Sequence, residues 1–219
     1  MGMEIDLLKN YPKTKRDISS RMNYKTEEDR EIARKFDKEF FDGDRKNGYG
    51  GFFYNSRFWQ NVIPAFKEFY NLDSTSNILD VGAAKGFMLY DFTKIIPGIK
   101  VQGLDISKYA VENSVEEIKP FLKIGNAISL PYKNNSFDVV ISINTVHNLE
   151  KKDLAKSLLE IQRVSKGKCF ITVDAYRNNE EKVLMEAWNL TAKTMMHVEE
   201  WKNFFNEIGY NGDYYWFIP

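Results

Sequence analysis

Asn77-Ile78-Leu79-Asp80-Val81-Gly82-Ala83-Ala84-Lys85-Gly86-Phe87 joins a short apolar strand to a helix through a glycine turn. Met88-Leu89-Tyr90 continues the helix, and a second strand ends at Gly103-Leu104-Asp105-Ile106-Ser107. Strand, turn, helix, strand and acid, in that order, read as half of a nucleotide-binding α/β sheet. Gly82 and Gly86 let the backbone turn sharply and let a ligand approach it closely. Asp105, ending the second strand, is placed to accept hydrogen bonds from a ribose diol.

A dinucleotide fingerprint sets glycines at the first, third and sixth positions of its turn. Here those positions hold Gly82, Ala84 and Phe87, while Gly86 keeps a two-residue rhythm with Gly82 and Asp80 lies two residues before it. The broken spacing argues against a nicotinamide enzyme. The pattern resembles the first motif of the class I S-adenosylmethionine-dependent methyltransferases, acid-x-Gly-x-Gly-x-Gly, with Ala84 at the middle glycine. The resemblance runs from about residue 76 to about residue 175. It implies S-adenosyl-L-methionine as cofactor, Asp80, Gly82, Ala84 and Gly86 around it, and Asp105 with its neighbour Ile106 at the ribose end. In Leu122-Lys-Ile-Gly-Asn-Ala127, Asn126 stands where the family usually has an aspartate that meets the adenine amino group, with Ala127 and Ile128 beside the ring. Leu130-Pro-Tyr-Lys-Asn-Asn-Ser-Phe-Asp-Val-Val-Ile-Ser-Ile-Asn144 resembles the family's turn, Phe-Asp and fourth strand. That strand is nearly all apolar, as a strand buried on both faces of a parallel sheet must be.

The expected fold is α/β: a doubly wound, mostly parallel Rossmann-like sheet with helices on both faces and an N-terminal helical lid. Residues 1–75 are read as the lid region. Residues 76–219 form the cofactor domain, with an acceptor-binding insertion at about 175–197. The chain of 219 residues is long enough for one substantial core. Its 31 lysines and arginines balance 31 aspartates and glutamates, so no global field favours nucleic acid or membranes. A single cysteine, Cys169, fits a reducing compartment. No apolar run approaches the roughly 20 residues that span a bilayer, and no secretory signal opens the chain. A cytoplasmic location is expected.

Thr26 followed by acids, with Ile32, Phe36 and Phe40 at helical spacing, predicts a helix over 26–41. The pattern repeats over 59–70. After a fifth strand, Cys169-Phe-Ile-Thr-Val-Asp174, helices are expected at about 180–194 and 198–208. Gly212 to Pro219 reads as a sixth strand. The family usually adds a seventh, antiparallel strand, for which no segment stands out.

Open α/β sheets bind ligands beyond the carboxyl ends of their strands. The tip after the fourth strand reads Ile143-Asn-Thr-Val-His-Asn-Leu149. The resemblance sets it against the methionine half of the cofactor and the acceptor, with Asn144 on the amino or carboxylate group. His147 is a candidate base for an acceptor hydroxyl near neutral pH; the plainer alternative is a turn cap or a satisfied backbone group. Asp174, with Tyr176 and Arg177 at the same rim, has four readings: base, orienter of His147, binder of acceptor hydroxyls, or helix N-cap. A metal is not expected, because the companion aspartate of catechol-type relatives is missing. His197 reads as a helix-start or packing residue.

Between Phe41 and Trp59 the chain carries four glycines and seven aromatics, which are costly to order unless something packs there. Two readings stand: a lid over the cofactor, or a packed Ω-loop. As a lid, Tyr49 and Tyr54 line the sulfonium, where cation–π attraction suits tyrosine, and Arg57 reaches a carboxylate or phosphate. The basic cluster from Lys13 to Arg21 reads as a solvated face or, with Arg45, Arg57 and Arg177, as phosphate clamps. The whole chain is loosely similar to bacterial methyltransferases of surface-polysaccharide building blocks. That similarity points to a small-molecule acceptor, a sugar hydroxyl or a phosphate-bearing nucleotide-linked precursor. Nucleic acid is not the expected acceptor, because the chain has no broad basic excess and the strand-four tip lacks the Asp/Asn-Pro-Pro-aromatic motif of amino-methylating DNA enzymes. The other readings are an amine or nucleic-acid acceptor, and a silent regulator that binds the cofactor without turnover.

Overall fold

The computed structural model describes residues 2–13 and 25–219; residues 14–21 of the basic cluster fall outside them. Thr26 opens α1 (Glu27–Ala33) with a capping box: its hydroxyl accepts from the Asp29 amide, and Asp29 accepts from the Thr26 amide. The single helix expected over 26–41 is broken. Phe36 takes a left-handed φ of 50°, and Asp37 caps a new short helix, α2 (Lys38–Phe41), by accepting from the Lys38 amide. An aspartate that bonds its own neighbouring backbone competes with helix continuation, and here it wins. The next helix, α3 (Ile63–Tyr70), starts later than the pattern suggested, with a proline in its first turn, where the missing N–H costs nothing.

From there the chain alternates: β1 (Asn77–Val81), α4 (Phe87–Ile95), β2 (Lys100–Asp105), α5 (Lys108–Glu112), β3 (Leu122–Ile124), β4 (Val139–Ile143), α6 (Lys151–Val164), β5 (Cys169–Tyr176), α7 (Asn179–Trp188), β6 (Met196–His197), α8 (Val198–Ile208) and β7 (Asp213–Phe217). The sheet runs β3-β2-β1-β4-β5, β7 pairs β5 from Phe170 to Asp174, and β6 pairs only its tip. Every pairing is parallel. The strand order reverses between β1 and β4, which puts the crevice for a ligand above their carboxyl ends.

Alternate residues feed the two faces, as the pleat demands. Leu79, Val81, Val140, Ile171 and Val173 pack with Leu154, Leu158 and Ile161 of α6 and Trp201 and Phe205 of α8. Ile78, Val139, Ile141 and Phe170 pack with Phe66 of α3 and Leu89 and Phe92 of α4. The fold is doubly wound, as expected. The final segment is the sixth strand of the reading above, lying parallel beside β5. Its outer side is covered by the N-terminal residues: Glu4 bridges Tyr214, the Ile5 amide donates to the Tyr214 carbonyl, and Leu7 enters the core. That covers an edge otherwise open to another chain. No antiparallel strand pairs with this sheet among the described residues.

Helix α7 ends at Trp188, six residues short of the expected end at 194. Asn189 closes a side-chain ring with the backbone of Ala192. Lys25 donates to the carbonyls of Ala187, Trp188 and Asn189, and Arg30 to that of Asn189, so cations from the N-terminal region satisfy the end of the helix. Among the described residues no helix is long and apolar enough to cross a membrane.

Candidate functional site

The glycine turn is held by the strand beside it. Gly82 and Ala83 donate to the Leu104 carbonyl, and Gly86 caps α4 with a left-handed φ of 76°. Ala84 also has a positive φ, 48°. Its amide donates to Asp105 Oδ2 at 2.7 Å, and this bond holds the strained turn. A left-handed alanine costs about 1–2 kcal/mol, partly offset by glycine's freedom in the unfolded chain. Ala84→Gly is therefore expected to raise Tm by about 1–3 °C. A melting curve shifted downward would mean that the methyl packs against something more valuable than the strain it carries.

Asp105 is buried and accepts from Ala84 on Oδ2 and from the Ser107 amide on Oδ1 at 2.8 Å. Burial raises its carboxyl above the usual range, against the pull of these amides. Asp80, at the end of β1, is also buried, and no donor of the described residues reaches its carboxylate. Burial, then the charge of Asp105, pushes it up to about 8. A buried carboxylate without a donor is costly unless a ligand completes it. Beside the pair, Ile106 is 56% exposed, an isoleucine offered to the space above the strand ends. Asn126 follows β3, its Oδ1 accepting from the Ile128 amide, with Ala127 half buried. These residues fit an adenosine: an apolar flank, a carboxylate with spare lone pairs for a diol, and a tight turn with no room for a side chain at Gly82. A buried acid lacking a donor fits the amino group of a methionine moiety.

The tips of β4 and β5 are joined. Asn144, in a left-handed conformation, accepts from the Thr172 hydroxyl, and its amide donates to Thr172. His147 is buried in the short turn Val146–Asn148. Its Nδ1 accepts from the Asp174 amide at 2.9 Å and lies 3.6 Å from Asp174 Oδ1. An accepting Nδ1 puts the proton of the neutral ring on Nε2, which has no partner among the described residues. Burial lowers the His147 pKa, with Asp174 opposing. The Asp174 carbonyl accepts from Trp201 Nε1, so this residue is gripped by its backbone on both sides. Helix α7 is capped by Asn178, not by Asp174. Lys193 and Thr194 donate their amides to the His147 carbonyl, folding the 189–194 loop back onto the β4 tip.

Tyr49 is 43% exposed, yet burial pushes its phenol up to about 12, with the charge of Asp105 contributing. It lies within electrostatic reach of Asp105. Tyr54 is directed elsewhere: its hydroxyl donates to Asp91 of α4 at 2.6 Å, so it pins the loop rather than facing the strand tips. Arg57 lies exposed over the Phe58 ring, 4.7 Å from its centroid. Arg45 is spent on the carbonyls of Gly48 and Tyr49. Arg177 pairs with Glu181, its carbonyl bonds His197, and Tyr176 packs edge-on to His197. His197 caps α8 with Glu200, as its reading required.

Two charged residues were missed by sequence reasoning. Lys85, inside the glycine turn, is buried and donates to Asp42 Oδ2 at 2.6 Å and to the Phe52 carbonyl at 2.9 Å. The only sign was a lysine between Ala84 and Gly86, in a turn that otherwise carries no charge; nothing marked Asp42.

Residues 72–215 match the family described as a methyltransferase domain. The chain belongs to that family. Such domains take their methyl group from S-adenosyl-L-methionine, the cofactor these residues fit. The methyltransferase is 31% identical over 154 residues to the tRNA (carboxymethyluridine(34)-5-O)-methyltransferase of Arabidopsis thaliana, covering 68% of this chain and 35% of that protein. It is 34% identical over 108 residues to the demethylmenaquinone methyltransferase of Symbiobacterium thermophilum, covering 45% of this chain and 42% of that one. The chain thus spans less than half the length of these two curated relatives. The solved structure of YcgJ from Bacillus subtilis aligns with a TM-score of 0.55 at 22% identity, covering 67% of this chain and 66% of its own, a likeness of fold.

Proposed function

We propose that this methyltransferase domain acts on a small-molecule acceptor, transferring the methyl group to a hydroxyl. A sugar or a phosphate-bearing nucleotide-linked precursor of surface polysaccharide is the class to test first. The observation that carries this reading is the His147–Asp174 pair, buried where the tips of β4 and β5 join beside the glycine turn. When bound, S-adenosylmethionine supplies an electrophilic methyl on a sulfonium, open to in-line attack. Asp80, the Gly82–Gly86 turn, Asp105, Ile106, Asn126, Ala127 and Asn144, with Tyr49, would hold the cofactor. Most of the rate enhancement then comes from fixing two reactants in line.

The tautomer divides the work between His147 and Asp174. For His147 to serve as base, its proton would have to move to Nδ1, breaking the bond from the Asp174 amide. As arranged, Nε2–H donates to the acceptor's oxygen and the Asp174 carboxylate is the group that can take its proton. The 189–194 loop and the end of β5, with Tyr176, form the acceptor wall; residues 42–54 form the roof. A roofed site suits a small acceptor, and the chain carries no net positive charge that would draw a polynucleotide.

The test is turnover with a panel of nucleotide sugars and free sugars, against tRNA and small amines. His147→Ala and Asp174→Ala are each expected to lower kcat at least tenfold, about 1.4 kcal/mol, with affinity for S-adenosylhomocysteine within twofold of the parent. Because burial lowers the His147 pKa, kcat/KM should show no inflection near the ordinary histidine value of about 6.5. An inflection there that disappears in His147→Ala would return the base role to histidine. Turnover confined to tRNA or amines would sink the hydroxyl reading, and tight cofactor binding without any turnover would favour a regulator.

A further inference from the structure

We propose that Asp42 is a positioning residue for the cofactor, its carboxylate tying three walls of the binding cleft together so that the 42–53 loop and Tyr49 stay closed over the Asp105 end. This rests on the reading of the glycine turn and Asp105 as the cofactor site.

Each wall reaches Asp42 by a separate bond. Asp42 ends α2, and its Oδ1 accepts from the Phe52 amide at 2.9 Å, closing the loop on itself. Oδ2 accepts from Lys85 Nζ at 2.6 Å, and Lys85 lies between Ala84, bonded to Asp105, and Gly86, which caps α4. Oδ2 also accepts from the Tyr109 hydroxyl at 2.7 Å, and Tyr109 belongs to α5, the helix that starts three residues after Asp105. The loop, the turn and the ribose-side helix thus share one carboxylate. Lys85 adds a bond to the Phe52 carbonyl and lies over the rings of Phe53 and Tyr109 at 5.5 and 5.7 Å.

The geometry of the loop follows. Gly50 and Gly51 take φ of 68° and 105°, and the Gly51 amide donates to the Phe41 carbonyl, so the chain doubles back where only glycine fits easily. Tyr49 then packs against Phe41 and Phe52, and Phe52 stacks on Phe87, the first residue of α4. Burial acts to raise the Asp42 carboxyl, but Lys85, the Phe52 amide and Tyr109 outweigh it and hold it below the usual range. Asp42 is therefore an anion at neutral pH, and Lys85 is buried with no other acid in contact among the described residues. Removing one partner of such a pair leaves the other charge uncompensated, so the loop has reason to leave the turn.

The experiment is stopped-flow binding of S-adenosylhomocysteine to the full chain and to Asp42→Asn, Tyr109→Phe, Lys85→Met and the Asp42→Asn/Lys85→Met double variant. A closed loop governs escape more than entry. Asp42→Asn should release the ligand at least about tenfold faster with association changed less than about threefold, and Tyr109→Phe should fall between it and the parent. The double variant should be no worse than the poorer single one, the mark of a shared interaction. Amides 43–52 should exchange faster in Asp42→Asn while those of β1 and β4 keep the parent's protection. Release from Asp42→Asn and Tyr109→Phe at the parent's rate would overturn the proposal; if Asp42→Asn does not fold, Tyr109→Phe alone decides. A parent that binds no S-adenosylhomocysteine would instead remove the cofactor reading beneath it.

Discussion

Asp105→Ala is expected to weaken binding of S-adenosylhomocysteine by about a hundredfold or more. A carboxylate offers about four lone-pair positions. Ala84 and Ser107 occupy one on each oxygen, which leaves one on each for the two hydroxyls of a ribose. Two hydrogen bonds to a charged group, at roughly 1.5–3 kcal/mol each, reach at least two decades at about 1.4 kcal/mol per decade. Asp105→Asn keeps one oxygen and should fall between the two. Alanine within fivefold of the parent by calorimetric titration would show that the ribose lies elsewhere. The unliganded protein gives an independent readout. Asp80 is pushed up to about 8 by burial and then by the charge of Asp105. A carboxyl whose folded pKa is raised holds its proton where the unfolded chain has lost it, so the parent loses stability as pH rises from about 4 to about 8. Asp105→Ala removes both that repulsion and the raised carboxyl of Asp105 itself, so it should flatten the decline. A decline as steep in the variant would mean that burial of Asp80 sets it without help from Asp105.

What the sequence revealed and what it hid divide by the range of the interactions. Asp80, Gly82, Gly86 and Asp105 were legible because strand, turn and acid lie within thirty residues and their conformations follow from local chemistry. The fourth strand was legible from a nearly unbroken apolar run, which suits a doubly covered sheet, and the fifth from an apolar, β-branched run that ends in an acid. The break at Phe36 was not, because Asp37 satisfies both a helical pattern and a cap, and only packing chooses. Nor was the cover on β7, where Glu4 meets Tyr214 across almost the whole chain. The same limit applied within the site. Tyr54 looked suited to a sulfonium by residue type, but it was the position of Asp91 that decided where its hydroxyl went. His147 was legible as a rim residue, whereas its tautomer follows from one backbone amide 27 positions away. Lys85, Asp42 and Tyr109 belong to three separate elements that meet only in the folded chain.

Gly82→Ala should be the most damaging single-methyl change in the site. Gly82 has φ of +88°, and a Cβ there would lie 2.1 Å from Thr145 Oγ1, 2.4 Å from its Cγ2 and 2.6 Å from its Cβ. The obstacle is the whole root of a side chain, not a flexible end. Threonine is stiff at χ1, and Thr145 Oγ1 already donates to the Ile143 carbonyl, so it cannot turn away cheaply. Thr145 joins β4 to the turn that carries His147. Relief therefore requires the tips of β1 and β4 to part, which displaces Asn144 and His147 together. A left-handed alanine costs about 1–2 kcal/mol and overpacking about 1–3, so a loss of about 2–5 kcal/mol is expected, or about 5–15 °C in Tm. Binding of S-adenosylhomocysteine should fall with it, since the proposed cofactor site is built on the turn and the β4 tip. Thr145→Gly in the Gly82→Ala background removes the clash but not the backbone strain. It should restore the steric share and leave about 1–2 kcal/mol unrecovered. A Gly82→Ala protein that melts within 2 °C of the parent and binds the ligand normally would show that the two tips are looser than their packing implies.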